Sequence, residues 1–79
     1  MIKVLFFGPV ADRVGATAVQ AGFQAGMRLL DLHAQMQALY PAAFEIVCFT
    51  AVNGAHTRDM QVSLADNSEV VFMSKFSGG

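Results

Sequence analysis

The feature that most constrains the fold is that only one stretch of the chain is predicted to form a long helix. Met27–Tyr40 contains no glycine or proline and consists mostly of good helix formers. Its apolar residues recur at three- and four-residue steps, which predicts one buried stripe. The stripe consists of Leu29, Leu32, Met36, Leu39 and Tyr40. We expect Pro41 to stop the helix and Gly26 to act as a weak N-cap. One helix covers one face of a sheet, which favours an α+β fold over a doubly wound one.

Short β-prone runs lie on both sides of this helix. The predicted strands are Ile2–Phe7, Thr17–Phe23 (paired antiparallel with the first), Phe44–Val52, a short one near His56–Met60, and Glu69–Met73. Val10–Ala16 is predicted to be a loop or short helical turn. Asn53-Gly54 is the strongest short signal for a type I′ hairpin, and Asn67 suits a left-handed turn position. This order predicts a ubiquitin-like β-grasp fold, in which a single main helix covers one face of a mixed sheet.

Composition excludes several classes of function. The net charge of −1 and five Lys/Arg argue against nucleic-acid binding, which needs a basic surface. No run approaches the roughly 20 apolar residues of a membrane helix. Cys48 is the only cysteine, so no disulfide is available, and the separated His33 and His56 give no zinc pattern. We therefore expect a soluble, cytoplasmic, single-domain protein without a bound metal. Its 54% hydrophobic content exceeds what so small a core can hide, which favours a protein interface.

The end of the sequence carries the most distinctive chemistry. We find no phosphate-binding glycine loop and no nucleophile–base pair. Gly78-Gly79 follows the last predicted strand, and residues without β-carbons can lie flat in a narrow channel. The Gly79 carboxylate would be unhindered there. The sequence thus divides into a β-grasp domain, residues 1–73, and a tail, residues 74–79.

Several motifs carry a resemblance to a known family. They are the opening Met1–Phe7, Val14-Gly15, Leu39-Tyr40-Pro41, Ala51-Val52-Asn53-Gly54, Leu64–Val70 and the final Ser77-Gly78-Gly79. In order and spacing they resemble the small subunit of molybdopterin synthase, the sulfur-carrier protein of molybdenum-cofactor biosynthesis. Ser74-Lys75-Phe76 departs from the family's Pro-Pro-Val, and prolines would stiffen an extended tail. Asn67-Ser68 replaces a Gly-Asp pair.

The resemblance implies a sulfur carrier that is not itself an enzyme. An E1-like partner would use ATP to adenylate the Gly79 carboxylate, with Gly78 beside it. Sulfur relayed by a sulfurtransferase or cysteine desulfurase would then replace AMP and leave a thiocarboxylate. In the family this group enters the large subunit of a heterotetrameric synthase and sulfurates a pterin precursor to form the dithiolene. No cofactor is expected to stay bound to the carrier.

Other functions remain open. The same tail chemistry serves sulfur carriers of the thiamine pathway and of tRNA thiolation, although the segment Gly8–Ala16 favours the molybdopterin branch. A ubiquitin-like modifier, conjugated to lysines through Gly79, requires the same adenylation. A β-grasp binding module with an inert terminus is the remaining alternative.

Strand alternation predicts a partner-binding face. Lys3 should avoid the helix-covered core, so Leu5 and Phe7 should share its open face. Val70 and Phe72 should point inward, leaving Val71 and Met73 outward. The predicted partner-binding residues are Leu5, Phe7, Val71, Met73, Lys75, Phe76 and Ser77.

Three further side chains are assigned structural or solvent-exposed positions. Cys48 lies in an apolar strand-like run and is predicted to be buried and structural. His33 is predicted to be half-buried at the edge of the helix stripe. His56 is predicted to be exposed, and Asp12–Arg13 to be a solvated loop pair.

Overall fold

The computed structural model describes residues 1–75, which form a five-stranded mixed sheet and three helices. In chain order the elements are β1 (Ile2–Phe6), α1 (Gly8–Val14), β2 (Ala18–Ala21), α2 (Leu29–Leu39), α3 (Pro41–Phe44), β3 (Val47–Val52), β4 (Ala55–Thr57) and β5 (Glu69–Ser74). The strands lie side by side in the order β2-β1-β5-β3-β4. β1 and β5 are parallel, and the other neighbouring pairs are antiparallel. The fold is the predicted ubiquitin-like β-grasp.

The core forms on the face of the sheet that α2 covers. In β1, Ile2, Val4 and Phe6 are fully buried, because alternate strand residues point to the same side. The parallel register places Val4 beside Val70 and Phe6 beside Phe72, and both β5 residues are also fully buried. The rings of Phe6 and Phe72 stack with centroids 6.2 Å apart. The predicted inward orientation of Val70 and Phe72 is confirmed.

The apolar stripe of α2 is shorter than predicted. Its buried side chains are Leu29, Leu32 and Met36. Leu39 was assigned to the stripe but is 60% exposed. The next core position after Met36 is four residues on, at Tyr40, which is half-buried and packs edge-on against Phe6 with ring centroids 5.9 Å apart.

The start of α2 also differs from the prediction. The N-cap is Arg28 and not Gly26. The backbone N–H of Arg28 donates to Oδ2 of Asp31 at 2.9 Å, so an acidic side chain in the first turn closes the helix end. The negative charge of Asp31 also interacts favourably with the positive end of the helix dipole.

The segment after β4 accepts hydrogen bonds from the first turn of α2. The N–H groups of Leu29 and Leu30 donate to the carbonyls of Val62 and Met60, both at 2.9 Å. These donors have no partner inside the helix. The contact fixes Met60 beside α2.

The segment that follows β1 forms a helix. The predicted loop or short helical turn at residues 10–16 corresponds to α1, which begins earlier, at Gly8, and has Pro9 in its first turn. Gly15 ends it in the left-handed conformation, with φ +86°, and donates to the carbonyl of Ala11 at 2.8 Å.

Pro41 has two roles. It ends α2 as predicted, and it begins α3, because proline is well tolerated in a first helical turn. The strand predicted from Phe44 therefore begins only at Val47, and Phe44 is instead a buried helical residue.

Two asparagines set the turns of the sheet. Asn53 and Gly54 have φ values of +50° and +85°, as a type I′ hairpin requires, and they join β3 to β4. The predicted strand near residues 56–60 is β4, three residues long. Asn67 has φ +68°, which confirms its predicted left-handed conformation. β5 runs one residue further than predicted, to Ser74.

Candidate functional site

The tail leaves the domain from a central strand. β5 is paired with β1 on one side and with β3 on the other, and its last residue is Ser74. Lys75 follows and is exposed. A strand held on both sides gives the tail a rigid starting point. The predicted site residues Phe76, Ser77, Gly78 and Gly79 lie outside the described residues.

The open face of the sheet, opposite α2, is apolar at the end where the tail leaves. The register places Leu5 beside Val71, and Met73 beside Phe49 of β3. Phe7 follows β1 at the same end. Directly paired residues share a face, so the predicted outward orientation of Leu5, Val71 and Met73 is confirmed.

These residues are not equally accessible. Phe7 is 47% exposed and Phe49 41%, whereas Leu5 and Met73 are half-buried. We call these four residues the tail-end patch. Val71 faces the same side but is only 8% exposed, since strands flank it on both sides. Val71 therefore supports the patch and offers a partner little surface.

Phe49 is a member of the patch that the sequence analysis missed. The signal was present, because counting back by twos from Asn53 in the hairpin turn places Ala51 and Phe49 on one face. A large exposed aromatic side chain beside other apolar groups is typical of an interface anchor.

The far end of β5 is charged. There Lys3 and Glu69 are paired across the two parallel strands, with Nζ and Oε2 3.9 Å apart. Both side chains are largely exposed, so this ion pair contributes little to stability. The open face thus changes from charged to apolar towards the tail.

A groove of about 380 Å³ lies beside the last residues of β5, between α1 and the start of β3. Ser74 and Lys75 line it together with Pro9 and Ile46. The Ser74 hydroxyl is buried and has no hydrogen-bond partner within residues 1–75. The groove therefore has apolar walls, and it lies next to the residues at which the tail begins.

Arg13 is exposed, as predicted, but it belongs to a helix and not to a loop. It lies in α1, its Nη1 donates to the carbonyl of Ala42 at 2.9 Å, and the same atom lies 3.6 Å from Oε2 of Glu45. Arg13 therefore links α1 to α3 and to the residue that follows it, on one side of this groove. Asp12 is exposed as predicted.

The prediction that Cys48 is buried is wrong. The pairing of β3 with β5 shifts register between Val47 and Phe49, which inserts Cys48 as an extra residue. Such a bulge interrupts the alternation of side chains between the two faces of the sheet, and Cys48 is exposed.

We expect Cys48→Ala to change the free energy of unfolding by less than about 0.5 kcal/mol, as for exposed sites generally. Urea unfolding of both proteins measures this. A loss of 2 kcal/mol or more, in the range of about 2–5 kcal/mol for buried large-to-small substitutions, would mean that the thiol is packed in solution.

His33 is half-buried, as predicted, among aromatic rings. Its ring centroid lies 5.1 Å from that of Phe44 and 5.9 Å from that of Phe72, both edge-on. Burial lowers the pKa of His33 below its ordinary value. His56 is exposed, as predicted.

This environment predicts a pH dependence of stability. The native pKa of His33 is lower than the unfolded value of 6.5, so the unfolded chain binds the proton more tightly. The free energy of unfolding should therefore fall as the pH drops below 6.5, until the native pKa is passed. Urea titrations between pH 8 and pH 5 test this. His33→Phe should flatten the slope and His56→Gln should keep it; an unchanged slope in His33→Phe would contradict the assignment.

Residues 1–75 contain neither a cluster of His, Cys, Asp or Glu metal ligands nor a membrane-spanning helix. No group of three or more His, Cys, Asp or Glu side chains comes together there. No helix in this part of the chain is long and apolar enough to cross a membrane.

A β-grasp sheet whose central strand leads into a Gly-Gly tail is the architecture of the ubiquitin-like class of proteins. The family model of the ThiS family matches residues 4–79. The chain therefore belongs to the ThiS family of small ubiquitin-like sulfur carriers. A sequence search of curated proteins found no match.

Solved structures share the fold at low sequence identity. A Pyrococcus furiosus protein proposed as subunit 1 of molybdopterin converting factor superposes with a TM-score of 0.82 at 20% identity, covering 92% of this chain and 94% of its own. Small archaeal modifier protein 1 of Haloferax volcanii gives 0.83 at 16%, covering 99% and 98%. Its counterpart from Methanosarcina acetivorans gives 0.80 at 20%, covering 99% and 95%.

Proposed function

We propose that this protein is the sulfur-carrier subunit of a molybdopterin synthase. The observation that carries the proposal is the ThiS-family match, which runs through Gly78 and Gly79. The motifs that resemble the synthase small subunit extend from the first strand to these glycines. The similar fold of the Pyrococcus furiosus protein supports the same branch of the family.

The reacting group would be the Gly79 carboxylate. A carboxylate is a poor acyl donor, because an oxide ion does not leave. An E1-like enzyme would let a carboxylate oxygen attack the α-phosphorus of ATP, releasing pyrophosphate and forming an acyl adenylate. The terminal sulfur of a persulfide on a sulfurtransferase or cysteine desulfurase would then attack the carbonyl carbon and displace AMP, forming an acyl disulfide. A second thiol would attack the donor's sulfur in that disulfide, forming a new disulfide with the donor and leaving a nucleophilic thiocarboxylate on the carrier.

The large subunit would bind the tail-end patch and receive the tail. Phe7 and Phe49 offer aromatic anchors on the open face, beside Met73 near the end of β5. A partner seated there would lie next to the strand from which the tail leaves. Lys75, Phe76 and Ser77 would then enter its active site ahead of the two glycines, where the thiocarboxylate transfers sulfur to the pterin precursor.

A ubiquitin-like modifier is the second candidate. The similar folds of two small archaeal modifier proteins favour it. Both candidates need adenylation of Gly79 and differ in the nucleophile that follows, which is a persulfide sulfur for the carrier and a lysine amine for the modifier. Sulfur carriers of the thiamine pathway or of tRNA thiolation share the thiocarboxylate and differ in its acceptor.

Intact-mass analysis of the protein isolated from its own host tests the carrier chemistry. The carrier predicts a fraction of chains in which one oxygen is replaced by sulfur, and treatment with iodoacetamide should alkylate that group. A population joined to other proteins through Gly79, without any sulfur-containing form, would favour the modifier.

A further inference from the structure

A cavity of about 210 Å³ lies on the side of the sheet opposite the tail-end patch. It is bounded by α2, β3 and the segment after β4. Its lining includes His33 of α2, Cys48 of β3 and Met60 of the segment after β4, three residues whose side chains can bind a soft metal ion. The proposed sulfur-carrier function uses none of the three.

We propose that this cavity binds one Cu(I) ion through His33, Cys48 and Met60. Thiolate and thioether ligands select Cu(I) among biological metals, and imidazole is also a good ligand for copper. The lining contains no carboxylate, which hard cations such as Mg²⁺ and Ca²⁺ require. Structural zinc sites use four Cys, His or carboxylate ligands, and thioethers are not among them.

The three donors combine one fixed group with two adjustable ones. The ring of His33 packs edge-on against both Phe44 and Phe72, which fixes its position. Cys48 is exposed at the bulge, and Met60 is an unbranched side chain that changes rotamer easily.

The charge of the cavity suits this ion. Cys48 would lose its proton on binding, so Cu(I) with one thiolate, one imidazole and one thioether forms a complex of zero net charge. The guanidinium of Arg58, which also lines the cavity, would therefore face a neutral group and not a cation. Thr50 and Thr57 complete the polar part of the lining.

Anaerobic titration of the full chain with Cu(I), in competition with a coloured Cu(I) chelator, tests the proposal. The protein must first be shown by intact mass to carry a plain carboxylate, because a thiocarboxylate would itself bind copper. We expect one Cu(I) per chain. Cys48→Ser, Met60→Leu and His33→Phe should each weaken binding by about 10-fold or more.

Two matched variants serve as controls. His56→Gln removes the other histidine, and Met73→Leu removes a thioether on the opposite face; both should bind Cu(I) as the wild type does. Wild-type affinity in Met60→Leu and His33→Phe would mean adventitious binding by a lone thiol and would overturn the site. One Cu(I) shared by two chains would also overturn it.

X-ray absorption at the copper edge gives a check that needs no variant. The proposed site predicts one nitrogen and two sulfur donors around the metal. An environment of sulfur donors without nitrogen would contradict the proposal even if a variant failed to fold.

Discussion

Deletion of Gly79 is expected to abolish thiocarboxylate formation and to leave the domain folded. The acyl group that is adenylated is the carboxylate of this residue, so the deletion removes the reacting atoms from their place at the end of the tail. The buried core identified in residues 1–75 ends with β5. The free energy of unfolding should therefore change by less than about 0.5 kcal/mol.

The measurement is the intact mass after incubation with the activating enzyme, ATP, a persulfide sulfur source and a thiol reductant. The matched control is Gly22→Ala, since an added β-carbon at Gly22 would meet no atom within 4 Å. The control should be thiocarboxylated as fully as the wild type. If the protein lacking Gly79 still supports pterin sulfuration, Gly79 is not the functional group.

Alanine substitution of an aromatic residue in the tail-end patch is expected to weaken binding to the large subunit strongly. Phe7→Ala and Phe49→Ala should each cost about 1–4 kcal/mol of binding free energy, because interfaces concentrate their energy in a few large anchors. Both side chains are more than two-fifths exposed, so neither should contribute much to folding. We expect Phe76→Ala, in the tail, to weaken binding to the large subunit by a similar amount.

Calorimetric titration with the large subunit measures these losses, and urea unfolding checks the fold. Leu39→Ala is the matched control, because Leu39 is 60% exposed on α2, on the other side of the sheet. It should bind as the wild type does. Normal binding by both Phe7→Ala and Phe49→Ala would show that the partner uses another face.

The β-grasp fold could be predicted because its signals are local. Alternation in Ile2–Phe6 and in β5 set the buried face of two central strands, and Asn53-Gly54 set the hairpin turn. Each of these depends on side-chain direction or φ preference within a few residues. The lone long helix then limited the architecture to a sheet covered on one face.

The errors arose where tertiary contacts override local pattern. Cys48 is exposed because a bulge depends on the pairing of β3 with β5, which a single strand does not reveal. Leu39 is exposed because α2 ends there and the chain continues into α3. Arg28 caps α2 through Asp31, where the sequence suggested only Gly26.

The candidate site was predicted in part. Leu5, Phe7 and Met73 follow from alternation along β1 and β5, and the structure places them at one end of the open face. Phe49 follows from the same alternation when it is counted back from Asn53, and the sequence analysis missed it. The proposed roles of Gly78 and Gly79 depend on chemistry at the end of the tail and stay predictions.

Single-turnover sulfuration of the pterin precursor tests the central claim most directly. The thiocarboxylated chain is mixed with the large subunit and the precursor, without ATP or a further sulfur source, and the pterin product is analysed by mass. The account predicts that sulfur appears in the pterin as Gly79 returns to a carboxylate. A pterin that stays free of sulfur while Gly79 keeps its thiocarboxylate would contradict it.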